Sequence, residues 1–125
     1  MSETAVIPRP PLSEAAYSPR GSILIIDDEA AIRESLETLL QLEGYAVESA
    51  ASGEQGLGRI AERSFDLVLL DFALPDRDGI EVLAEIHRQD PQLLIIMITA
   101  YGTVENAVKA MQAGATNFVQ KPWDN

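Results

Sequence analysis

Four short apolar runs in this chain each end at a polar, reactive residue. SILII at 22–26 runs into Asp27, Asp28 and Glu29, and LVLL at 67–70 runs into Asp71. LLIIMI at 93–98 runs into Thr99, and NFVQ at 117–120 runs into Lys121 and Pro122. Apolar runs this short, separated by segments of helical periodicity, predict strands of a buried parallel sheet. In such a sheet the strand ends meet on one edge, which is where open α/β sheets bind ligands. Three carboxylates, a hydroxyl and an ammonium are therefore expected to converge.

Between the strands the pattern turns helical. A helix is predicted over 30–43, with Ile32, Leu36, Leu39 and Leu40 on one face and Gly44 suited to a left-handed cap. A short strand follows at 46–50. Ser52 and Gln55 form a capping box for a second helix, whose inner face is Leu57, Ile60 and Ala61. Gly56 and Gly58 should weaken that helix by about 1 kcal/mol each. Strand three is expected over 66–71, then a loop with Pro75 and Gly79, then a helix that buries Ile80, Leu83 and Ile86. Pro91 marks the break before strand four, 93–99. Helix four, 103–113, is predicted to bury Val104, Ala107, Val108 and Met111, with Gly114 as its cap. Strand five is 117–120.

Five strands alternating with four helices place the chain in the α/β class, as a doubly wound five-stranded parallel sheet. In the flavodoxin-like order 2-1-3-4-5, a helix after strand five would share a face with helix one. That last helix is missing from this chain. The expectation is a domain truncated at its C-terminal end, or one whose bare face another segment or partner chain covers. Such an exposed apolar face favours self-association as a homodimer. Residues 1–20, with Pro8, Pro10, Pro11 and Pro19, read as a flexible extension, and 21–125 as the folded domain.

Composition narrows the function. A chain of 125 residues suits one domain with a real core. It holds no cysteine, which excludes disulfides and thiolate metal sites. It has neither an apolar run long enough to span a bilayer nor the start of a signal peptide, so a cytoplasmic location without membrane contact is expected. The formal net charge of −11 argues against direct binding of nucleic acid by this domain. Solubility accounts for most of that charge, but not for the acidic cluster.

Strands one and three are neighbours in this order, which sets Asp27 and Asp28 beside Asp71. Crowded carboxylates repel one another and are costly to bury unpaired. A hard divalent cation such as Mg²⁺, which takes oxygen ligands, resolves the conflict. Lys121 arrives from strand five as a point charge for an anion.

Asp27-Asp28-Glu29, Asp71 within LLDFALPDRDG, Thr99-Ala100 and Lys121-Pro122 are each weak signals, but their joint order and spacing are specific. Together they resemble the receiver domain of two-component response regulators, over about residues 22–125 apart from the last helix. The stretch TAYGTVENAVKAMQAGA at 99–115 is most similar to the nitrogen-regulation type, whose receivers often precede an ATPase and a DNA-binding module. The resemblance implies that Asp71 is a phosphoacceptor, served by the phosphohistidine of a sensor histidine kinase or phosphotransfer protein. It implies Mg²⁺ held by Asp28, Asp71 and the carbonyl of Ala73, with Asp27 acting through a metal-bound water. Thr99 and Lys121 would hold phosphoryl oxygens, the Lys121-Pro122 bond would be cis, and Phe118 would be the aromatic switch residue that moves as Thr99 is drawn to the phosphoryl group. The implied function is a phosphorylation-controlled switch with a downstream, transcriptional output. It is not an enzyme beyond its own phosphorylation and dephosphorylation.

Two other classes compete. A Mg²⁺-dependent phosphohydrolase with an aspartate nucleophile would place a second acid two residues after it, where this chain has Ala73. A phosphorylation-independent interaction module would have a degraded site. Ala73 offers no side-chain hydrogen bond to orient a hydrolytic water, and Tyr101 would shield the phosphoryl group, so slow self-dephosphorylation is expected. Asp76 and Asp78 read as solvated loop carboxylates that could tune the metal. His87, the single histidine, reads as a surface residue rather than a phosphodonor. Gly53, Gly56 and Gly58 follow a capping box rather than a strand and do not form a dinucleotide fingerprint.

Overall fold

β-Branched and leucine side chains in runs of four to six can bury both faces of a strand, and that is how these runs are used. The computed structural model describes residues 19–100 and 102–121. Its elements, in chain order, are β1 (Ser22–Ile26), α1 (Ala30–Leu42), β2 (Ala46–Ala50), α2 (Gly53–Glu62), β3 (Leu67–Asp71), α3 (Gly79–Gln89), β4 (Leu94–Thr99), α4 (Val104–Ala113) and β5 (Asn117–Gln120). The strands form one parallel sheet in the order β2-β1-β3-β4-β5. Most elements match their expected spans to within a residue.

The two faces of the sheet differ. On one, Leu24, Ile26, Val68, Leu70, Ile95 and Met97 pack with Leu57 of α2, Val82, Leu83 and Ile86 of α3, and Ala110 of α4. On the other, Ile23, Ile25 and Ile98 pack with Leu36 of α1, flanked by half-buried Leu67, Leu69 and Ile96. Among the described residues α1 is the only helix in that second cluster. Leu94 is 51% exposed and Val119 38% exposed.

Local chemistry sets the helix ends. Ser52 Oγ accepts from the Gln55 N–H at 3.2 Å, and Gln55 reaches back to the Ala51 N–H at 2.9 Å. Thr103 caps α4 by accepting from the Asn106 N–H at 3.0 Å. Gly114 closes α4 at φ 117°, a left-handed conformation that disfavours residues with a Cβ.

Three sequence expectations are corrected. Leu39 does not join the inner face of α1 and is 53% exposed. Ala61 is exposed on α2. Val104, Val108 and Met111 face outward on α4, at 82%, 47% and 48% exposure, while Ala110 is fully buried. Small residues form the inner face there, so α4 lies close to its neighbours and the large side chains are turned out. Gly56 is required by packing: a Cβ at that position would lie 2.3 Å from Ile26 Cδ1.

Candidate functional site

The ladder of backbone bonds runs past the strand ends and fixes the residues beyond them. The Asp27 N–H donates to the Ala50 carbonyl at 3.0 Å, the Phe72 N–H to Ile98 at 2.8 Å, and the Lys121 N–H to Thr99. Ile26 is paired with Leu70, Asp71 with Ile98, and Thr99 with Gln120. Asp27, Asp71, Thr99 and Lys121 thus share one rim of the sheet. All four are buried, and Asp28 beside them is exposed.

Lys121 is the centre of the arrangement. Its Nζ lies 2.8 Å from Asp27 Oδ2 and 3.4 Å from Asp71 Oδ2. It also donates to Glu29 Oε1 at 2.9 Å. Asp27 Oδ1 accepts from the Glu29 N–H at 2.9 Å, and Arg33 Nη1 donates to the Asp27 carbonyl at 2.7 Å. Asp71 Oδ1 accepts from the Ala73 N–H at 3.3 Å. A hollow of about 320 Å³ opens over these groups, lined by Asp28, Glu29, Asp71, Ala73, Ala100 and Lys121.

One carboxylate oxygen from each of Asp27, Asp28 and Asp71 falls within 4.8 Å of the others. An all-oxygen donor set beside a solvated hollow fits a hard divalent cation that keeps water ligands. The electrostatics agree. Burial pushes the Asp71 carboxyl from 3.8 up to about 6, and the charge of Asp27 adds to the rise, against the pull of Lys121 and the Ala73 N–H. Burial works against a charged Lys121, but bonds to Asp27 and Glu29 and the charge of Asp71 outweigh it and hold the ammonium above its ordinary value.

The β3–α3 loop is tightly folded. Ala73 and Asp78 form an antiparallel bridge, and a Cβ at Gly79 would sit 2.4 Å from the Phe72 carbonyl oxygen. Asp76 and Asp78 are exposed loop carboxylates, as expected, and each also accepts from the N–H groups at a helix start. Asp76 accepts from the N–H groups of Gly53 and Glu54 at 2.9 and 3.0 Å, which lowers its pKa. Asp78 accepts from the Ile80 N–H at 2.9 Å. Arg77 reaches both Glu54 and Glu85.

Phe118 is half-buried, edge-on to Phe72 with ring centroids 6.4 Å apart. It is paired with Met97, two residues back from Thr99 along β4. His87 is also corrected: it is half-buried, its Nδ1 has no hydrogen-bond partner, and Gly114 leaves room for its ring. The readings of residues 1–18, Tyr101 and Pro122 lie outside the described residues. Two contributors escaped sequence reasoning. Glu29 was visible only as the third member of the acidic triplet, and Arg33 gave no signal because its contact is to a backbone carbonyl.

Residues 23–125 match the response regulator receiver domain. The chain belongs to that family. The receiver is 38% identical over 109 residues to the alginate biosynthesis transcriptional regulatory protein AlgB of Pseudomonas aeruginosa, covering 87% of this chain and 24% of that protein. A receiver domain structure from Methanospirillum hungatei superposes with a TM-score of 0.79 at 42% identity, covering 82% of each chain. The structure of NtrX from Brucella abortus superposes at 0.79 with 37% identity, over 83% of this receiver and 24% of NtrX. These likenesses agree with the nitrogen-regulation type. The chain spans about a quarter of the length of AlgB. No described helix is long and apolar enough to cross a membrane.

Proposed function

We propose that Asp71 of this receiver accepts a phosphoryl group from the phosphohistidine of a partner histidine kinase or phosphotransfer protein. The observation that carries the reading is the buried Lys121 ammonium, 3.4 Å from the Asp71 carboxylate at the floor of an open hollow. In the transfer, an Asp71 Oδ forms the new P–O bond as the P–N bond breaks, and the electron pair stays on the imidazole nitrogen. A carboxylate is a modest nucleophile, so position and charge neutralisation supply the acceleration. Lys121 meets the developing charge on the phosphoryl oxygens, and Thr99 offers a hydroxyl to them. Asp27, Asp28, Asp71 and the Ala73 carbonyl are the candidate Mg²⁺ ligands. The ion, when bound, supplies positive charge against the phosphoryl oxygens.

The new group adds charge and acceptor oxygens at the end of β3. Thr99 is drawn toward them, and Phe118, packed against Phe72 on the same sheet, follows. The outward face of α4 and β5 changes with it. The downstream output is transcription, carried by parts of a longer protein, in the cytoplasm. The exposed Leu94 and Val119 on the second face of the sheet support a homodimer.

Incubation with acetyl phosphate and Mg²⁺ tests the reading. One phosphoryl group per chain is expected by mass spectrometry, and none in Asp71→Asn. Continuous phosphate release would point to a hydrolase instead. A lack of labelling would leave an interaction module.

A further inference from the structure

Resting on the phosphoacceptor reading, we propose that Glu29 is a positioning and selectivity residue, a latch that occupies Lys121 until a phosphoryl anion displaces it. An ammonium has three N–H donors. Lys121 Nζ lies 2.8 Å from Asp27, 2.9 Å from Glu29 and 3.4 Å from Asp71, and it donates a hydrogen bond to Glu29, whereas Asp27 Oδ2, though ion-paired, has no hydrogen-bond partner. An incoming phosphoryl oxygen that takes the same N–H must displace Glu29. Asp27 is fully buried and held by the Glu29 N–H, and Asp71 is the acceptor itself. The Glu29 side chain is 60% exposed, so water can take its charge at small cost.

A second observation points the same way. Glu29 is the N-cap residue of α1, yet its side chain makes no capping bond, and the first turn of α1 holds no acidic residue. A carboxylate at that position is ordinarily favoured by the adjacent N–H groups and the helix dipole. Here it turns away from the helix and toward Lys121. When the anion arrives, Lys121 exchanges one carboxylate for a phosphoryl oxygen, and Glu29 is released to solvent beside its own helix end.

Glu29 also lines the same hollow as Asp71. Its charge thus opposes a donor in proportion to the donor's own charge. Acetyl phosphate, a dianion, should be resisted more than phosphoramidate, which carries less net charge. In the transfer from acetyl phosphate, an Asp71 oxygen bonds to phosphorus, the P–O bond to the acetyl group breaks, and acetate leaves with the electron pair.

The test compares the 125-residue chain with Glu29→Gln and Glu29→Ala, in Mg²⁺. Both variants should reach half-maximal labelling at about tenfold lower acetyl phosphate, with the plateau rate within about twofold of the parent. The gain with phosphoramidate should be about threefold or less. Sulfate binding, followed by NMR of the Lys121 ammonium, should tighten about tenfold in both variants without any phosphoryl transfer. Unchanged half-saturation and sulfate affinity would overturn the latch. So would equal gains with both donors, or a gain in Glu29→Ala alone, since either would show that charge is not the cause. Failure to label the parent and variants alike would remove the phosphoacceptor reading, and the sulfate titration would still rule on Glu29.

Discussion

Asp71 carries a charge that its surroundings resist. Its carboxyl titrates near 6 in the folded protein, above the ordinary 3.8, chiefly because it is buried and also because Asp27 is charged. The folded state therefore holds its proton more tightly than the unfolded state between those values. Stability from this group is present below about pH 4 and is lost as pH rises through 6. A shift of that size corresponds to at most about 3 kcal/mol, and solvent access through the hollow reduces it to about 1–2 kcal/mol. Without metal, Asp71→Asn should be more stable than the parent by that amount at pH 7.5, and nearly equal to it at pH 4. Urea titrations at the two pH values check this. On the proposed phosphoacceptor reading, Ala73 is expected to set how fast the phosphoryl group is lost. The phosphorylated protein in Mg²⁺ should decay over minutes or longer, followed by loss of label, and Ala73→Asn should shorten the lifetime about tenfold by orienting a water. The acidic residues and Lys121 were legible because each ends an apolar run. Glu29, Arg33 and His87 were not, because their roles depend on contacts across the chain that no local pattern encodes.

Helix α2 illustrates two opposed local effects. Propensity alone says that Gly56→Ala strengthens a helix by about 1 kcal/mol. The added methyl would meet Ile26, at 2.3 Å from its Cδ1, in the main core. Overpacking of that kind costs about 1–3 kcal/mol, so the substitution should lower the melting temperature rather than raise it. Gly58, with open space around it, should respond in the opposite sense. Calorimetry of the two single variants separates propensity from packing. Helical periodicity placed α4 correctly and put half-buried Ala107 on its inner face, but wrongly set Val104, Val108 and Met111 there in place of Ala110. Val104, Val108 and Met111 recur at helical spacing, and so do the small residues Ala107 and Ala110. A hydrophobic pattern ranks the larger side chains as buried, whereas a close approach to α3 selects the smaller ones. Two element ends were readable because Ser52 and Gly114 carry their capping chemistry in the side chain or its absence, whereas Thr103, read as the first residue of α4, proved to be its cap.

Ligand linkage acts on the entire fold. Mg²⁺ bound to the folded acidic cluster should stabilise the protein by about 2.7 kcal/mol at a hundredfold excess over its dissociation constant. Chelation should reverse the gain, and Asp71→Asn should show much less of it, both readable by thermal melts with and without EDTA. The exposed Leu94 and Val119 on the second face of the sheet give a further expectation. Sedimentation should show a concentration-dependent dimer that Leu94→Gln weakens, at a stability cost below about 1 kcal/mol because Leu94 is 51% exposed. The parallel sheet was legible from the alternation of runs and periodic segments, but its strand order came from the flavodoxin-like template, because any order of parallel strands gathers their ends on one edge. Because every strand points the same way, the connections divide into two sets. Those entering the strands, such as the turn at Pro91 between α3 and β4, carry none of the acidic ligands or Lys121. A reporter peptide spliced into that turn would add little beyond loop-closure entropy. The molecule thus offers a handle for immobilisation or labelling on the side away from its reagents.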